Sequence, residues 1–223
     1  MCGRYLLDLP GASLATVLGA VDRTAGFMPT WNAAPSQLLP VLGRNPETRE
    51  QSVVMMEWGL VPSWAISTTS RPQINARAET IAERPMFRSA FARRRCLVPM
   101  RGWYEWVVRD GQKSPWLLEP ACSDNDIPTA AGIWEAVRDE SGSRRYSFAI
   151  ITCEAAPAIH HLHHRQPVMV SAADREMWLD ADGAEAQRLL RARDEPVAHW
   201  EVSRAVNNVR NNDSSLAAPV HAG

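Results

Sequence analysis

The sequence predicts an α+β protein in which mostly antiparallel strands form a barrel-like β core flanked by a few helices. Stretches rich in Val, Ile, Trp and Tyr alternate with Gly, Pro and polar clusters, which is typical of a barrel or sandwich. The 223 residues are 45% hydrophobic and 22% charged, so the chain can bury a core without disulfide bonds. We expect one domain over residues 1–207 and a loosely ordered tail over residues 208–223, where Asn, Ser, Ala and Pro dominate.

Eight strands follow from β-branched and aromatic runs between turn signals, at residues 38–42, 53–58, 96–99, 103–109, 114–118, 130–137, 145–152 and 167–170. Asp110 and Gly111 predict a tight hairpin between the fourth and fifth strands, and residues 139–142 predict a longer one between the sixth and seventh. Helical spacing of apolar residues predicts helices over residues 13–21, 78–84, 86–94, 172–179 and 184–193.

Composition excludes several classes of protein. The net charge is −1, so no overall field attracts nucleic acid and any anion site must be a local cluster. Four cysteines lie far apart and form no CxxC pair, which disfavours a zinc ribbon, a redox pair and a secreted disulfide framework. No apolar run approaches the ~20 residues of a membrane span, and the N-terminus lacks a signal-peptide pattern. We therefore expect a cytoplasmic protein without a membrane partner.

The N-terminus carries an unusual reagent, because a small second residue such as Cys2 normally permits removal of Met1. A free N-terminal cysteine has an α-amine with a pKa near ~7.7–8 and a thiol with a pKa near ~8.5, so both nucleophiles are available at neutral pH. An aldehyde would form an imine with the amine, and the sulfur would then close a thiazolidine ring. Lys113 is the only lysine and hence the only competing side-chain amine. An incidental cysteine at a frayed end is the alternative.

Two segments combine aromatic or basic residues with turn signals. Residues 58–64 end a strand in a Gly/Pro turn that presents Trp58 and Trp64, which can stack an unpaired base or pack in the core. Residues 75–80 fall at a predicted loop-to-helix junction. There Arg77 and free backbone N–H groups could hold a phosphate, or the arginine could simply be exposed beside a helix cap.

An acidic side chain sits among aromatic residues on the predicted strand 103–109. Strand alternation sends Trp103 and Glu105 to one face and Tyr104 and Trp106 to the other, so we expect Glu105 to be partly desolvated. Burial would raise its pKa toward a range useful for proton transfer. A salt-bridged glutamate at a hairpin edge is the alternative.

Residues 160–164 contain four of the six histidines. Their spacing disfavours a metal site, because Pro167 ends any helix nearby and no acidic or cysteine ligand lies close in sequence. We expect neither a metal nor another cofactor. The remaining alternatives are a solvated loop and a catalytic histidine beside an anion-binding Arg165.

The order and spacing of these motifs resemble the SRAP family of abasic-site processing proteins. The resemblance covers roughly residues 2–207 and implies the SRAP fold. Its motifs are residues 1–4, 32–35, 58–64, 75–79, 95–99, 103–106, 131–135, Thr152 and residues 163–167. The chain departs from the family at Gln166, where the family usually has Met, which leaves the packing of that loop open.

The resemblance implies a covalent cross-link between the N-terminal cysteine and abasic sites in single-stranded DNA, which shields the lesion in the DNA damage and SOS response. Carried over by position, Cys2 would be the nucleophile, Asn75 would orient it, Glu105 would be the acid/base and His163 would assist proton transfer. The implied DNA contacts are Arg4, Asn32, Trp64, Arg77, Trp106, Thr152 and Arg165. The expected partner is single-stranded DNA containing abasic sites, with the replication machinery as a further one, and the chain is expected to act as a monomer.

Two other classes of function remain open. The family is also described as peptidase-like, so Cys2, His163 and Glu105 could form a self-processing cysteine peptidase or hydrolase. A non-catalytic single-strand binder would keep the tryptophans and arginines and would not need Cys2. A heat-stable covalent adduct with abasic DNA would distinguish the cross-linking protein from both the peptidase and the non-catalytic binder. Turnover of peptides would favour the peptidase.

Overall fold

The computed structural model describes residues 2–45, 47–64, 71–109, 111–138 and 142–220. These residues form the predicted α+β fold, with two mainly antiparallel sheets and short helices around them. The strands are β1 (Tyr5–Leu7), β2 (Val21–Arg23), β3 (Thr30–Ala33), β4 (Leu38–Arg44), β5 (Gln51–Trp58), β6 (Asn75–Arg77), β7 (Arg95–Pro99), β8 (Gly102–Arg109), β9 (Gln112–Pro120), β10 (Thr129–Arg138), β11 (Arg144–Glu154), β12 (Arg165–Pro167), β13 (Met169–Val170) and β14 (Val197–Glu201). The α-helices are α1 (Gly11–Val17), α2 (Arg88–Arg93), α3 (Pro157–His160), α4 (Arg175–Asp180) and α5 (Gly183–Gln187).

Five strands of the larger sheet close into a barrel. β11, β10, β7, β4 and β5 are successive antiparallel neighbours, and β5 returns to β11 through a parallel pairing of Glu57 with Ser147 and Trp58 with Phe148. Closure removes the exposed edges that a flat sheet would carry. β7 is buried at every position, which explains why its sequence reads as an almost continuous apolar run.

The second sheet brings the N-terminus to the strand that carries Glu105. Its order is β14-β9-β8-β1-β3, and Tyr5 of β1 lies opposite Trp103 of β8. The backbone N–H of Tyr104 donates to the carbonyl of Arg4 at 2.9 Å. This pairing places the segment that follows Cys2 alongside β8, the strand that carries Glu105.

All eight predicted strands are present, and the last of them is divided between β12 and β13. The predicted hairpins correspond to the antiparallel pairs β8–β9 and β10–β11, although Asp110 and residues 139–141 lie outside the described residues. Five further strands were not predicted: β1, β2, β3, β6 and β14. Each has three to five residues, too few to show a clear alternation.

The predicted helices were generally too long. Residues 78–84 hold only a 3₁₀ turn at Ala78–Thr80, because the segment leaves β6 in a series of turns before Pro85. The first helix ends at Val17, followed by Gly19 at φ 60°, a conformation that favours glycine and terminates helices. No helix in the described part of the chain has the length and apolar character needed to cross a membrane.

The prediction of a loosely ordered tail over residues 208–223 is wrong for residues 208–220. The Asn32 amide donates to the carbonyls of Asn208 at 3.0 Å and Asn211 at 2.8 Å, and Leu216 is buried in a small apolar cluster with Tyr104. Polar composition misled the prediction, because a few buried anchors suffice to hold a polar segment on the second sheet.

Candidate active site

Cys2 is completely buried, immediately before β1. Asn75 of β6 donates its side-chain Nδ2 to the Cys2 carbonyl at 2.8 Å. β6 is held in parallel register on β11, with Asn75 opposite Ile150. The Asn75 Oδ1 atom is buried and has no hydrogen-bond partner among the described residues, so one acceptor remains available beside Cys2.

The surroundings of Cys2 change the acidity expected from the sequence. Burial, followed by the negative charge of Glu105, raises the pKa of the Cys2 thiol far above its ordinary value. This pKa direction applies to the chain that still carries Met1, whereas the expectation from the sequence concerns Cys2 after Met1 is removed. A protonated sulfur is a poor nucleophile, so its addition to an imine requires transfer of the thiol proton to the imine nitrogen.

Glu105 lies on the same face of β8 as Trp103, as the alternation predicted. Its residue surface is 3% exposed, whereas Tyr104 on the opposite face joins the apolar cluster beneath the C-terminal segment. Burial raises the pKa of Glu105 to about 7, although the positive amino terminus and Lys113 oppose the shift. A carboxyl group with this pKa can donate or accept a proton near neutral pH.

His163 is the nearest basic side chain described for Glu105, with 3.9 Å between His163 Nε2 and Glu105 Oε2. Burial lowers the pKa of His163, which favours the neutral imidazole at pH 7. The backbone N–H of Arg165 donates to His163 Nδ1 at 3.0 Å. The Arg165 carbonyl oxygen lies at the same 3.0 Å from Nδ1, so the ring tautomer depends on which of these two hydrogen bonds forms. In either tautomer Nε2 faces Glu105.

Arg165 is held beside His163 by several contacts. Its Nη1 and Nη2 donate to Glu79 Oε1 and Oε2 at 2.7 and 2.9 Å, and Nη2 also donates to the Thr152 carbonyl at 2.6 Å. Thr152 is fully buried, so it has no surface for the DNA contact that the resemblance implied. Its position instead supports Arg165.

Arg77 and Trp64 are accessible. Arg77 is exposed at the end of β6, and its side chain has no ion pair or hydrogen bond among the described residues. It lines a groove together with Arg84 and Phe87. Trp64 is 59% exposed, whereas Trp58 is wholly buried in the core. The α-helix predicted to begin within residues 75–80 is not formed, because only a 3₁₀ turn follows Arg77. Its N-terminal N–H groups are therefore not available as a phosphate site.

Arg4 and Asn32, both implied as DNA contacts, form hydrogen bonds inside the protein. Arg4 Nη1 donates to Asn32 Oδ1 at 2.6 Å and to the Val206 carbonyl at 2.9 Å. Asn32 is 1% exposed and its amide is occupied by backbone carbonyls of the C-terminal segment. Trp106 is partly buried, and its Nε1 donates to Asn207 Oδ1 at 2.7 Å.

Gln166, the departure from the family pattern, is buried and fits its site. Its Oε1 accepts the backbone N–H of Ala156 at 2.8 Å, directly before α3. The amide therefore secures the start of the short helix that leads to the histidine segment.

Sequence reasoning gave no role to Glu79, although this residue lies inside the quoted motif at residues 75–79. A carboxylate two residues after Arg77 is a weak signal, because only the tertiary fold brings it to Arg165. Tyr5 was also overlooked. It is wholly buried, and its hydroxyl has no hydrogen-bond partner among the described residues.

The fold and the site define a closed β-barrel protein with a buried carboxyl–histidine pair beside Cys2. The model of the SOS response associated peptidase (SRAP) family matches residues 1–209, and the chain belongs to this family.

Named relatives extend over most of the chain. The abasic site processing protein HMCES of Gallus gallus is 29% identical over 266 residues, covering 100% of this chain and 79% of that protein. The abasic site processing protein YoqW of Bacillus subtilis (strain 168) is 30% identical over 226 residues, covering 97% and 98% of the two chains. A crystal structure of a protein from Bacteroides thetaiotaomicron matches with a TM-score of 0.85 at 23% identity, over 99% of this chain and 100% of that one. That structural similarity supports the fold.

Proposed function

We propose that this protein processes abasic sites in the DNA damage response by linking them covalently to Cys2 in single-stranded DNA. Membership of the SRAP family and the names of its relatives support the substrate class. The observation that carries the chemistry is a carboxyl group of pKa about 7, Glu105, beside Cys2 and 3.9 Å from His163.

The reaction uses the α-amine that Cys2 acquires when Met1 is removed. This amine attacks the C1′ aldehyde of the ring-opened deoxyribose, and loss of one water gives an imine. The thiol then adds across the C=N bond: sulfur bonds to C1′ and its proton ends on nitrogen, which closes a thiazolidine. The raised thiol pKa favours this order, because the sulfur need not ionise before an electrophile is present.

Glu105 and His163 move the protons. Glu105 takes the C1′ hydroxyl proton and returns it to O4′ as the C1′–O4′ bond breaks. It then transfers a proton from the attacking amine to the hydroxyl that leaves as water. His163 supplies a second acid/base group to the same carboxyl group. Asn75 holds the Cys2 backbone, and its unoccupied Oδ1 can accept a hydrogen bond from the reacting amine or sugar. Arg77 and Trp64 supply an exposed phosphate contact and an exposed stacking surface.

The alternatives fit the site less well. A cysteine peptidase needs a thiolate, and burial raises the pKa of the Cys2 thiol. A non-catalytic binder has no use for a buried glutamate with a pKa of about 7, which costs stability at neutral pH.

Intact mass spectrometry with an abasic single-stranded oligonucleotide tests the proposal. We expect loss of Met1 and a heat-stable adduct with the mass of protein plus oligonucleotide minus one water. Cys2→Ala should abolish that adduct, whereas Cys2→Ser should leave only an imine that borohydride traps. Cys122→Ser, a substitution at an exposed cysteine, is the control that should react normally. A heat-stable adduct of Cys2→Ala without reductant would contradict the proposal, and its mapping to Lys113 would identify another nucleophile.

A further inference from the structure

Two arginines near the site differ in how their charge is compensated. Arg77 and Thr152 are paired across β6 and β11, and the Thr152 carbonyl also accepts from Arg165. These contacts place both arginines near Thr152, at one end of the barrel. Arg77 has no ion pair among the described residues, but Arg165 presents both ends of its guanidinium to Glu79, and its side chain is only 13% exposed.

The Glu79–Arg165 pair is connected to the proton-transfer residues. The backbone N–H of Arg165 donates to His163 Nδ1, and His163 Nε2 faces Glu105. A displacement of Arg165 would therefore change the ring orientation of His163. Glu79 lies on the 3₁₀ turn after Arg77 and forms its ion pair with Arg165, so its influence on His163 would pass through that arginine.

The same pair also competes with DNA. The planar fork of an arginine binds a carboxylate and a phosphate with the same two donors, so it cannot give both donors to each at once. The Arg165 Nε atom is buried and has no partner among the described residues, which leaves one donor for a further acceptor. The Glu79 side chain is 49% exposed and follows the exposed Arg77 by two residues.

We infer that Glu79 is a positioning residue that holds Arg165 away from DNA phosphate and thereby keeps His163 in its reactive orientation. The inference rests on the proposed function and adds a trade-off to it. The carboxylate weakens DNA binding and accelerates the covalent step. Loss of its charge should therefore change affinity and rate in opposite directions.

Glu79→Gln is the test variant, because it preserves shape and removes the charge. Glu154→Gln is the control for charge alone: Glu154 is exposed at the same end of the barrel, opposite Arg165 in register, and shares no side-chain ion pair with it in the described structure. Asp126→Asn is the control for breaking a two-pronged arginine pair, because Asp126 binds Arg175 at 2.7 and 2.9 Å elsewhere in the fold. Thermal melts establish that each variant is folded.

Binding is measured first, by titrating an intact single-stranded oligonucleotide without a lesion at several salt concentrations. We expect Glu79→Gln to bind about fivefold more tightly, the scale of an exposed ion pair. The slope of log K against log salt should steepen by about 0.7, the value for one added phosphate contact on a single strand. Both effects should disappear in an Arg165→Ala background, and Glu79→Asp, which retains the carboxylate, should keep the wild-type slope.

The covalent step is then measured with a saturating abasic oligonucleotide in single-turnover experiments. Glu79→Gln should react roughly tenfold more slowly, because misplacing a reacting group by a fraction of an ångström has effects of this order. The difference should vanish in a His163→Ala background if Glu79 acts through His163.

Three results would overturn the inference: a salt slope no steeper than that of Glu154→Gln, a gain in affinity that survives Arg165→Ala, or an undiminished rate effect without His163. If the wild-type protein binds and cross-links normally while Glu79→Gln is unchanged, only this inference fails. If the wild-type protein forms no adduct, the proposed function fails as well.

Discussion

Two asparagines predicted for the same site have different surroundings. Asn32 accepts from Arg4 and donates to three backbone carbonyls, so its amide is fully occupied inside the protein. Asn75 donates once, to the Cys2 carbonyl, and its buried Oδ1 has no partner in the described structure. Buried polar atoms are normally paired, so this acceptor can take a hydrogen bond from a group bound beside Cys2. The contrast predicts a structural role for Asn32 and a role in the reaction for Asn75.

Two glutamates show the same contrast. Glu105 and Glu135 are each 3% exposed. Glu135 forms an ion pair with Arg94 at 2.6 Å, whereas Glu105 faces His163 at 3.9 Å and has its pKa raised to about 7 by burial. The pKa of about 7 allows the Glu105 carboxyl group to exchange its proton near neutral pH. Equal burial therefore conceals different chemistry.

The largest expected effect is on the rate of adduct formation. Glu105→Gln should slow single-turnover cross-linking by about 10²–10⁴-fold, because it removes an acid/base group, while affinity for intact single-stranded DNA stays near the wild-type value. Glu135→Gln should leave the rate unchanged and reduce the free energy of unfolding. Equal rates for both variants would remove the distinction between the two glutamates.

The pH dependence of stability provides a second test. The folded protein raises the pKa of Glu105 from 4.5 to about 7, so the native state binds this proton more tightly than the unfolded chain does. Its contribution is therefore most favourable below pH 4.5 and is lost as the pH rises toward 7. The loss is up to about 3 kcal/mol at pH 8. Urea unfolding at pH 5 and pH 8 should show a smaller decline for Glu105→Gln, and parallel curves for variant and wild type would contradict the raised pKa.

Replacing each of the two asparagines separately with alanine should distinguish an effect on protein stability from an effect on the reaction rate. Asn32→Ala leaves buried carbonyls and Arg4 without their partner, which should cost about 2–4 kcal/mol of unfolding free energy but little of the rate at which the folded protein reacts. Asn75→Ala loses one hydrogen bond, about 1 kcal/mol, and should slow the reaction roughly tenfold because Cys2 is no longer held. Denaturation curves and single-turnover rates on the same samples measure both quantities. A slow Asn32→Ala protein with normal stability would reverse the assignment.

The sequence predicted the parts of this molecule that repeat a local pattern. Strand alternation placed Glu105 and Trp103 on one face of β8 and predicted the burial of Glu105, because the period of a strand is a local property. The short strand β6, by contrast, was assigned to a loop-to-helix junction. Its three residues form a strand only because β11 provides their hydrogen-bond partners, and a local sequence pattern does not reveal a partner strand.

The site was predicted less completely than the fold, because side-chain partners are set by tertiary contacts. The motif at residues 75–79 drew attention to Arg77, but Glu79 meets Arg165 only across the folded barrel edge. Arg4 and Asn32 matched the family pattern as well as Arg77 did, and the same resemblance implied that all three contact DNA. Their internal hydrogen bonds to the C-terminal segment depend on the packing of residues that the composition predicted to be loose.

The smallest expected effect extends the comparison to two arginines: Arg77, which is exposed, and Arg4, which is partly buried. Arg77→Ala should reduce the magnitude of the slope of log K against log salt by about 0.7, because one phosphate contact with single-stranded DNA is lost. Arg4→Ala should leave the slope unchanged and lower the unfolding free energy, since its guanidinium holds Asn32 and the Val206 carbonyl. Titrations at several salt concentrations measure the slopes. A flatter slope for Arg4→Ala and an unchanged slope for Arg77→Ala would show that exposure and internal hydrogen bonds do not identify the DNA-binding residues. The roles assigned to Asn32 and Asn75 rest on the same criteria and would then have to be reversed.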